Sequence, residues 1–189
     1  MGNLAFGTNG SSYYDWAKQG RIYCAFASIT APVIYSTAAG TGGPLLWNNS
    51  MANGGTAVNA VILAVSANLT VASGVASTLG LTGNSGQTSA PGSTGAIGAL
   101  ACTNIGGPYA TPACNLYSHG TPTNAGNFFM PTHTLDTGAI TTASILPAWV
   151  DIGGLFIASP GDWISVAASV TATSAVCKVG LVWVEIPIA

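Results

Sequence analysis

From Ile22 through Leu135 the chain contains no Asp, Glu, Lys or Arg. Charged residues make up 4% of the whole, against about 25% in an ordinary soluble domain. Surface charge keeps isolated proteins apart, and a near-neutral surface favours association. Scarcity of Leu, Glu, Lys and Arg also leaves little material for long helices. The chain therefore reads as a building block whose surface is largely covered by copies of itself or by partners, which points away from an enzyme.

At 189 residues the chain fits one domain with a small arm. With 49% hydrophobic residues it does the reverse of a disordered segment, which combines low hydrophobicity with high charge. A mean hydropathy of +0.50 raises the question of a membrane. The longest apolar runs, Val58–Val65 and Val179–Val184, fall far short of the roughly 20 residues a spanning helix needs. The aromatic girdles of a porin-like barrel are missing, so no membrane partner is expected. The opening Met1-Gly2-Asn3-Leu4-Ala5-Phe6 lacks a signal-peptide pattern, and Phe6 stands where myristoylation wants Ser or Thr. Export is not expected. Three basic residues and a net charge of -2 argue against nucleic acid, which needs clustered Lys and Arg.

The one helical candidate is Ser12–Gln19, with Ser11 or Ser12 as N-cap, Asp15 in the first turn, Lys18 near the end and Gly20 as the stop. Short β-type runs follow. Strands are expected at Ile22–Ser28, Pro32–Thr37, Pro44–Trp47, Val58–Ala67 and Leu69–Ala72. Thr82–Thr123 is crowded with Gly, Ser, Thr, Ala and Pro. It is either a set of short strands with long connections or an arm that orders against a neighbour. Gly154–Ser159 reads as an apolar strand leading into a Pro160-Gly161-Asp162 turn. Trp163–Val170 alternates between a polar and an apolar face. Ala175–Ile186 is apolar on both faces, hence buried on both. One face fills a core, and the natural cover for the other is a neighbouring subunit.

Catalytic and metal constellations are thin. His119 or His133 with Asp136, Asp151 or Asp162 could form part of a triad, but no Gly-x-Ser-x-Gly elbow is present. Cys102, Cys114, His119 and His133 have the elements of a zinc site at a spacing much looser than Cys-x2-4-Cys. Paired carboxylates for glycoside hydrolysis would come from Asp136, Asp151, Asp162 and Glu185. Gly40-Thr41-Gly42-Gly43 lacks the Lys and the helix of a phosphate loop. No catalytic residue, cofactor or metal is expected. Cys102 and Cys114 flank a Gly/Pro-rich loop and could close it as a disulfide, although free thiols are the expectation without an export signal. Asn9, Asn48 and Asn68 stand in Asn-x-Ser/Thr sequons, which arise by chance in such a composition. Tyr13, Tyr14, Trp16 and Trp47 could stack on sugars, but an interface role is favoured because aromatics are enriched in interface cores.

The order of features is similar to that of small bacteriophage virion structural proteins. The matching pieces are Asp15-Trp16-Ala17-Lys18-Gln19-Gly20-Arg21-Ile22, then Leu45-Leu46-Trp47-Asn48 before the strand Val58–Val65. At the end come Gly154-Leu155-Phe156-Ile157, Pro160-Gly161 and Trp183-Val184-Glu185-Ile186-Pro187. Thr82–Thr123 has no counterpart. The resemblance implies a virion role and a jelly-roll closing hairpin, and supplies no catalytic residues.

The expectation is an all-β chain: an antiparallel, jelly-roll-like β-sandwich over 22–189, with a short helix or arm over 1–21. It would be a capsid decoration (cement) protein on the phage head, made in the bacterial cytoplasm, a homotrimer bridging the major capsid protein. The alternative is a glycan-binding fibre or tail module. Tyr13, Tyr14, Trp16, Arg21, Trp47, Val182 and Val184 are the expected partner contacts.

Overall fold

The computed structural model describes residues 16–17, 19–36, 44–51, 56–93, 111–117, 120–135, 148–171 and 174–188. The strands, in chain order, are β1 (Ile22–Thr30), β2 (Leu45–Trp47), β3 (Val58–Val71), β4 (Ser77–Asn84), β5 (Gly92–Ser93) and β6 (Asn115–Tyr117). They continue with β7 (Gly120–Thr121), β8 (Phe128–Leu135), β9 (Ala148–Ala158), β10 (Trp163–Ala168) and β11 (Val176–Pro187). One sheet has the order β1-β11-β3-β9 and the other β6-β2-β10-β4-β8, while β5 and β7 form a small ribbon. Every strand pair is antiparallel. The path from β1 to β4 alternates between sheets, β8 stays beside β4, and β9 to β11 alternate again. Such interleaving is the jelly-roll path, so the expected all-β, jelly-roll-like sandwich is the fold.

Period-2 apolar patterning explains the core. On β11, Cys177, Val179, Leu181 and Trp183 face inward, and Leu46, Leu79, Leu81, Ile164 and Val166 of the other sheet meet them in one cluster. Tyr23 stacks on Trp183 with ring centroids 5.6 Å apart. Phe128 of β8 stacks on Phe156 of β9 at 4.9 Å.

Several expectations change. Pro32–Thr37 is not a strand. Ala31 turns the chain with φ 50°, Pro32 has no N–H to give a ladder, and one isolated bridge, Ile34 to Ala168, remains; Thr37 lies outside the described residues. Val58–Ala67 and Leu69–Ala72 are one strand that absorbs its irregularities as register shifts against β11 and β9. Thr82–Thr123 holds the end of β4 and the short strands β5, β6 and β7. Both faces of β10 are buried, although alternation assigns Ser165 to a polar face. Its outer neighbour Leu45 lies under β7, where a Cβ on Gly120 would come 2.8 Å from Leu45.

No N-terminal helix stands as an element. Ser12–Asp15 and Lys18 lie outside the described residues, and what is described is a helical turn at Trp16 and Ala17. Its end has Schellman geometry: Gly20 N–H donates to the Ala17 carbonyl and Arg21 N–H to that of Trp16, both at 3.0 Å. Gly20 takes φ 72°, a conformation L side chains disfavour. The type II turn is present too, with Asp162 N–H bonded to the Ser159 carbonyl and Gly161 at φ 92°.

Asn48 ties one end of the sandwich together. Its side-chain amide donates to the Val58 carbonyl at 2.7 Å and to that of Ala158 at 2.8 Å. Its Oδ1 accepts from Ser50 N–H at 3.2 Å. A fully buried side chain so engaged is closed to glycosylation in the folded protein, whatever its sequon. Asn48→Ala would leave two buried carbonyls short of a donor, and its expected cost is about 2–4 kcal/mol. Urea unfolding would show it as a lower midpoint at unchanged slope.

Candidate interaction surface

The outer face of the β1-β11-β3-β9 sheet is assembled from residues directly opposite one another on antiparallel strands, which share a face. Its first row is Ile22, Val184, Val61 and Ile157; the second is Cys24, Val182, Ala64 and Asp151; the third is Phe26, Gly180, Ser66 and Trp149. Strand β9 kinks between Asp151 and Phe156, where Gly153 and Gly154 both take positive φ and the pairing with β3 lapses. Leu155 follows the kink and alternates with core-facing Phe156, so it points outward with Ile157.

This face divides into a covered and an open part. Trp16, Ile22, Val61, Leu63 and Val184 form a buried apolar cluster, with Ala17, Val182 and Ile186 packed against it. The face expected to need a neighbouring subunit is thus covered at Val184 by the chain's own Trp16. The rest is open: Leu155 is 79% exposed, Trp149 62%, Ile157 54% and Phe26 49%. Among the described residues, the charged side chains on this face are Asp151 on the second row and exposed Lys178 one row past Phe26. Trp149, Leu155 and Ile157 follow one another along edge strand β9, whereas Phe26 lies on β1 at the opposite edge, beyond Gly180 and Ser66. Scattered surface apolars are ordinary, but several large ones on one strand mark a candidate contact site.

The expected contact residues fall in different places. Trp16 and Val184 are buried and Val182 half-buried on this face. Half-buried Arg21 accepts the Glu185 N–H at its carbonyl. Trp47 is on the other sheet, buried with Leu45, Tyr117 and Trp163, and is not an open platform for sugar. Tyr13 and Tyr14 lie outside the described residues. Sequence reasoning did not single out Trp149, Leu155, Ile157 or Phe26; the alternation of Leu155 and Ile157 with Phe156 and Ala158 was the available signal.

The carboxylates are occupied by backbone. Asp151 accepts from Gly153 N–H and Asp162 from Ser159 N–H, each at 2.9 Å. Buried Glu185 accepts from Ala113 N–H at 2.8 Å, Cys114 N–H at 3.1 Å and Trp183 Nε1–H at 3.3 Å. Its charge is compensated by three donors, two of which anchor the segment before β6 to β11. His133 Nδ1 lies 2.9 Å from the neighbouring Thr132 hydroxyl. Among the described residues no group of three or more His, Cys, Asp and Glu could hold a metal ion. His119, Asp136 and Cys102 lie outside them, and with Cys102 the disulfide that it and Cys114 could form; Cys114 is buried. Comparison with known families, curated proteins and solved structures finds no match.

Two expectations test this account. Glu185→Gln puts an NH2 group against an N–H donor, with an expected loss of about 2–3 kcal/mol and faster proteolysis of the segment before β6. Burial raises the Asp162 carboxyl, its bond from Ser159 N–H offsetting this only in part. A folded pKa above the unfolded one gives stability present at low pH and lost as pH rises through it. Asp162→Asn keeps an acceptor for Ser159 and should therefore raise the melting temperature at pH 7, with an advantage that shrinks on acidification through the carboxylate range.

Proposed function

We propose that the chain is a structural virion subunit, a capsid decoration (cement) protein that self-associates and stabilises an assembled phage head. The observation that carries the reading is the open apolar strip led by Trp149 and Leu155, on a sandwich with 4% charged residues. The resemblance of the short motifs Asp15–Ile22, Leu45–Asn48, Gly154–Ile157, Pro160-Gly161 and Trp183–Pro187 to small phage virion proteins points the same way. A subunit that binds only the assembled shell stabilises it by mass action, and repeated weak contacts add through multivalency. The proposed partners are the major capsid protein and further copies of this chain, as a trimer. Contacts built from apolar, hydroxyl and amide groups resist salt that screens ion pairs, so high salt should leave the subunit on heads.

Exposed Trp149 beside Asp151 favours a second reading, a fibre or tail module that stacks host glycans on the indole. Copy number in purified virions, measured by quantitative mass spectrometry, separates the two. Abundance comparable to the major capsid protein supports cement; a few copies per particle supports the glycan module; absence rejects both.

The strip itself is tested in solution. Trp149→Asp with Leu155→Asp removes two large apolar contacts and should weaken self-association by about a hundredfold or more. Sedimentation equilibrium would show the mass falling toward the monomer, with the circular dichroism spectrum unchanged.

A further inference from the structure

We infer that strand β1 pairs with β1 of a second copy, edge to edge and antiparallel about a two-fold axis at Phe26. The sheet edges are β1 and β9 in one sheet and β6 and β8 in the other. Three of them carry features that stop another strand from adding. Strand β6 has only 3 residues, β8 contains Pro131 beside a register shift, and β9 breaks at Gly153 and Gly154. Strand β1 carries none of these. Its 9 residues include no charge and no proline, and they pair with β11 from Ile22 to Thr30 without a shift.

The phase of the hydrogen bonds shows what β1 offers. Glu185 N–H donates to the Arg21 carbonyl and Ala31 N–H to that of Ala175, one bond at each end of the ladder. Residues of an antiparallel pair alternate in whether they bond to the strand opposite, so the odd-numbered residues face β11. The backbone groups of Cys24, Phe26 and Ser28 point the other way, where no strand lies among the described residues. Their side chains stand on the outer face, with Ser28 exposed, Cys24 half-buried and Phe26 49% exposed.

A second copy fits this edge because the row matches itself. With the axis at Phe26, Cys24 of each copy opposes Ser28 of the other, and the two Phe26 side chains lie side by side. Each opposed pair exchanges both backbone hydrogen bonds, and the aromatic pair adds to them. Lys178 stands beside Ser28 on β11. The two copies of it come about 20 Å apart by strand spacing and rise, beyond the screening length of about 8–10 Å. A two-fold contact uses the same edge on both copies and therefore closes without building a fibre. Trp149 and Leu155 stand at the far edge of the sheet, and the pairing holds whether or not the chain belongs to a virion.

The test is Ser28→Cys in the full chain, oxidised in air with copper phenanthroline. Positions 24 and 28 of one chain are about 13 Å apart along the strand, too far for a disulfide, so a bridge between them joins two chains. A covalent dimer is expected, with chymotryptic peptides linked from position 24 to position 28. Thr30→Cys, one step out of register, should give less than about a tenth of that yield. Cys177 takes no part, being fully buried with its thiol pushed up to about 11 by burial. No covalent dimer, or equal yields from the two variants, would overturn the register. A second measurement avoids the engineered thiol. Phe26→Lys puts two ammonium groups at the axis and should weaken the pairing about a hundredfold or more. Sedimentation equilibrium on the chain already carrying Trp149→Asp and Leu155→Asp isolates this contact, and Phe26→Lys should take its residual dimer to the monomer. No residual dimer, or one that Phe26→Lys leaves unchanged, would reject the pairing.

Discussion

Strand β11 is apolar on both faces apart from exposed Lys178 and Pro187 and buried Glu185 at its ends, and most of the architecture answers that constraint. Its inward side chains require a second sheet, which supplies Leu79, Leu81, Ile164 and Val166. Its edges require two long partners, and β1 and β3 flank it along nearly its full length. Its outward Val184 requires a lid, and Trp16 provides one. Burying a tryptophan and several aliphatic side chains there stabilises the fold by a few kcal/mol, at about 1.5–3 kcal/mol per large apolar side chain. The N-terminal segment is thus part of the folded unit at least from Trp16 onward.

With so few charges, the fold is tied together by neutral groups. Asn48 joins the ends of β2, β3 and β9. Gln87 bonds from its backbone N–H to Gly161 and accepts from both Thr123 N–H and its hydroxyl. These links tie Gln87 and Thr123, both between β4 and β8, to each other and to the turn before β10. The exception is Glu185, and it is surrounded by donors, as a buried charge must be. Such links are largely insensitive to ionic strength, because neutral hydrogen bonds are not screened as ion pairs are.

Much of this was legible in the residues. The two-faced pattern of 175–186 identified a central strand, and Pro160-Gly161-Asp162 identified the turn between β9 and β10, because both signals are local. The cover over Val184 was not legible, since periodicity shows that a face is buried without showing what buries it. Trp47 was read as an interface residue for the same reason: its burial depends on Tyr117 and Trp163, far along the chain. Strand β4 escaped notice because Ser77–Asn84 carries two glycines and few large apolars, and its strand character comes from pairing with β10 and β8. Trp149 was not singled out, because nothing local to it shows that β9 lies at the sheet edge, a property of strand order.

That edge also bears on how copies would meet. An exposed, long, apolar edge strand invites another strand to add to it, and repeated addition builds open fibres. Here β9 is kinked at Gly153 and Gly154, with outward-pointing Asp151 just before the kink. An incoming strand could not keep its ladder through that break. Trp149 and Leu155, on either side of the kink, remain able to enter a complementary surface as side chains. The geometry therefore disfavours strand addition and favours side-chain packing, the mode of contact that closed oligomers and shell-bound subunits use.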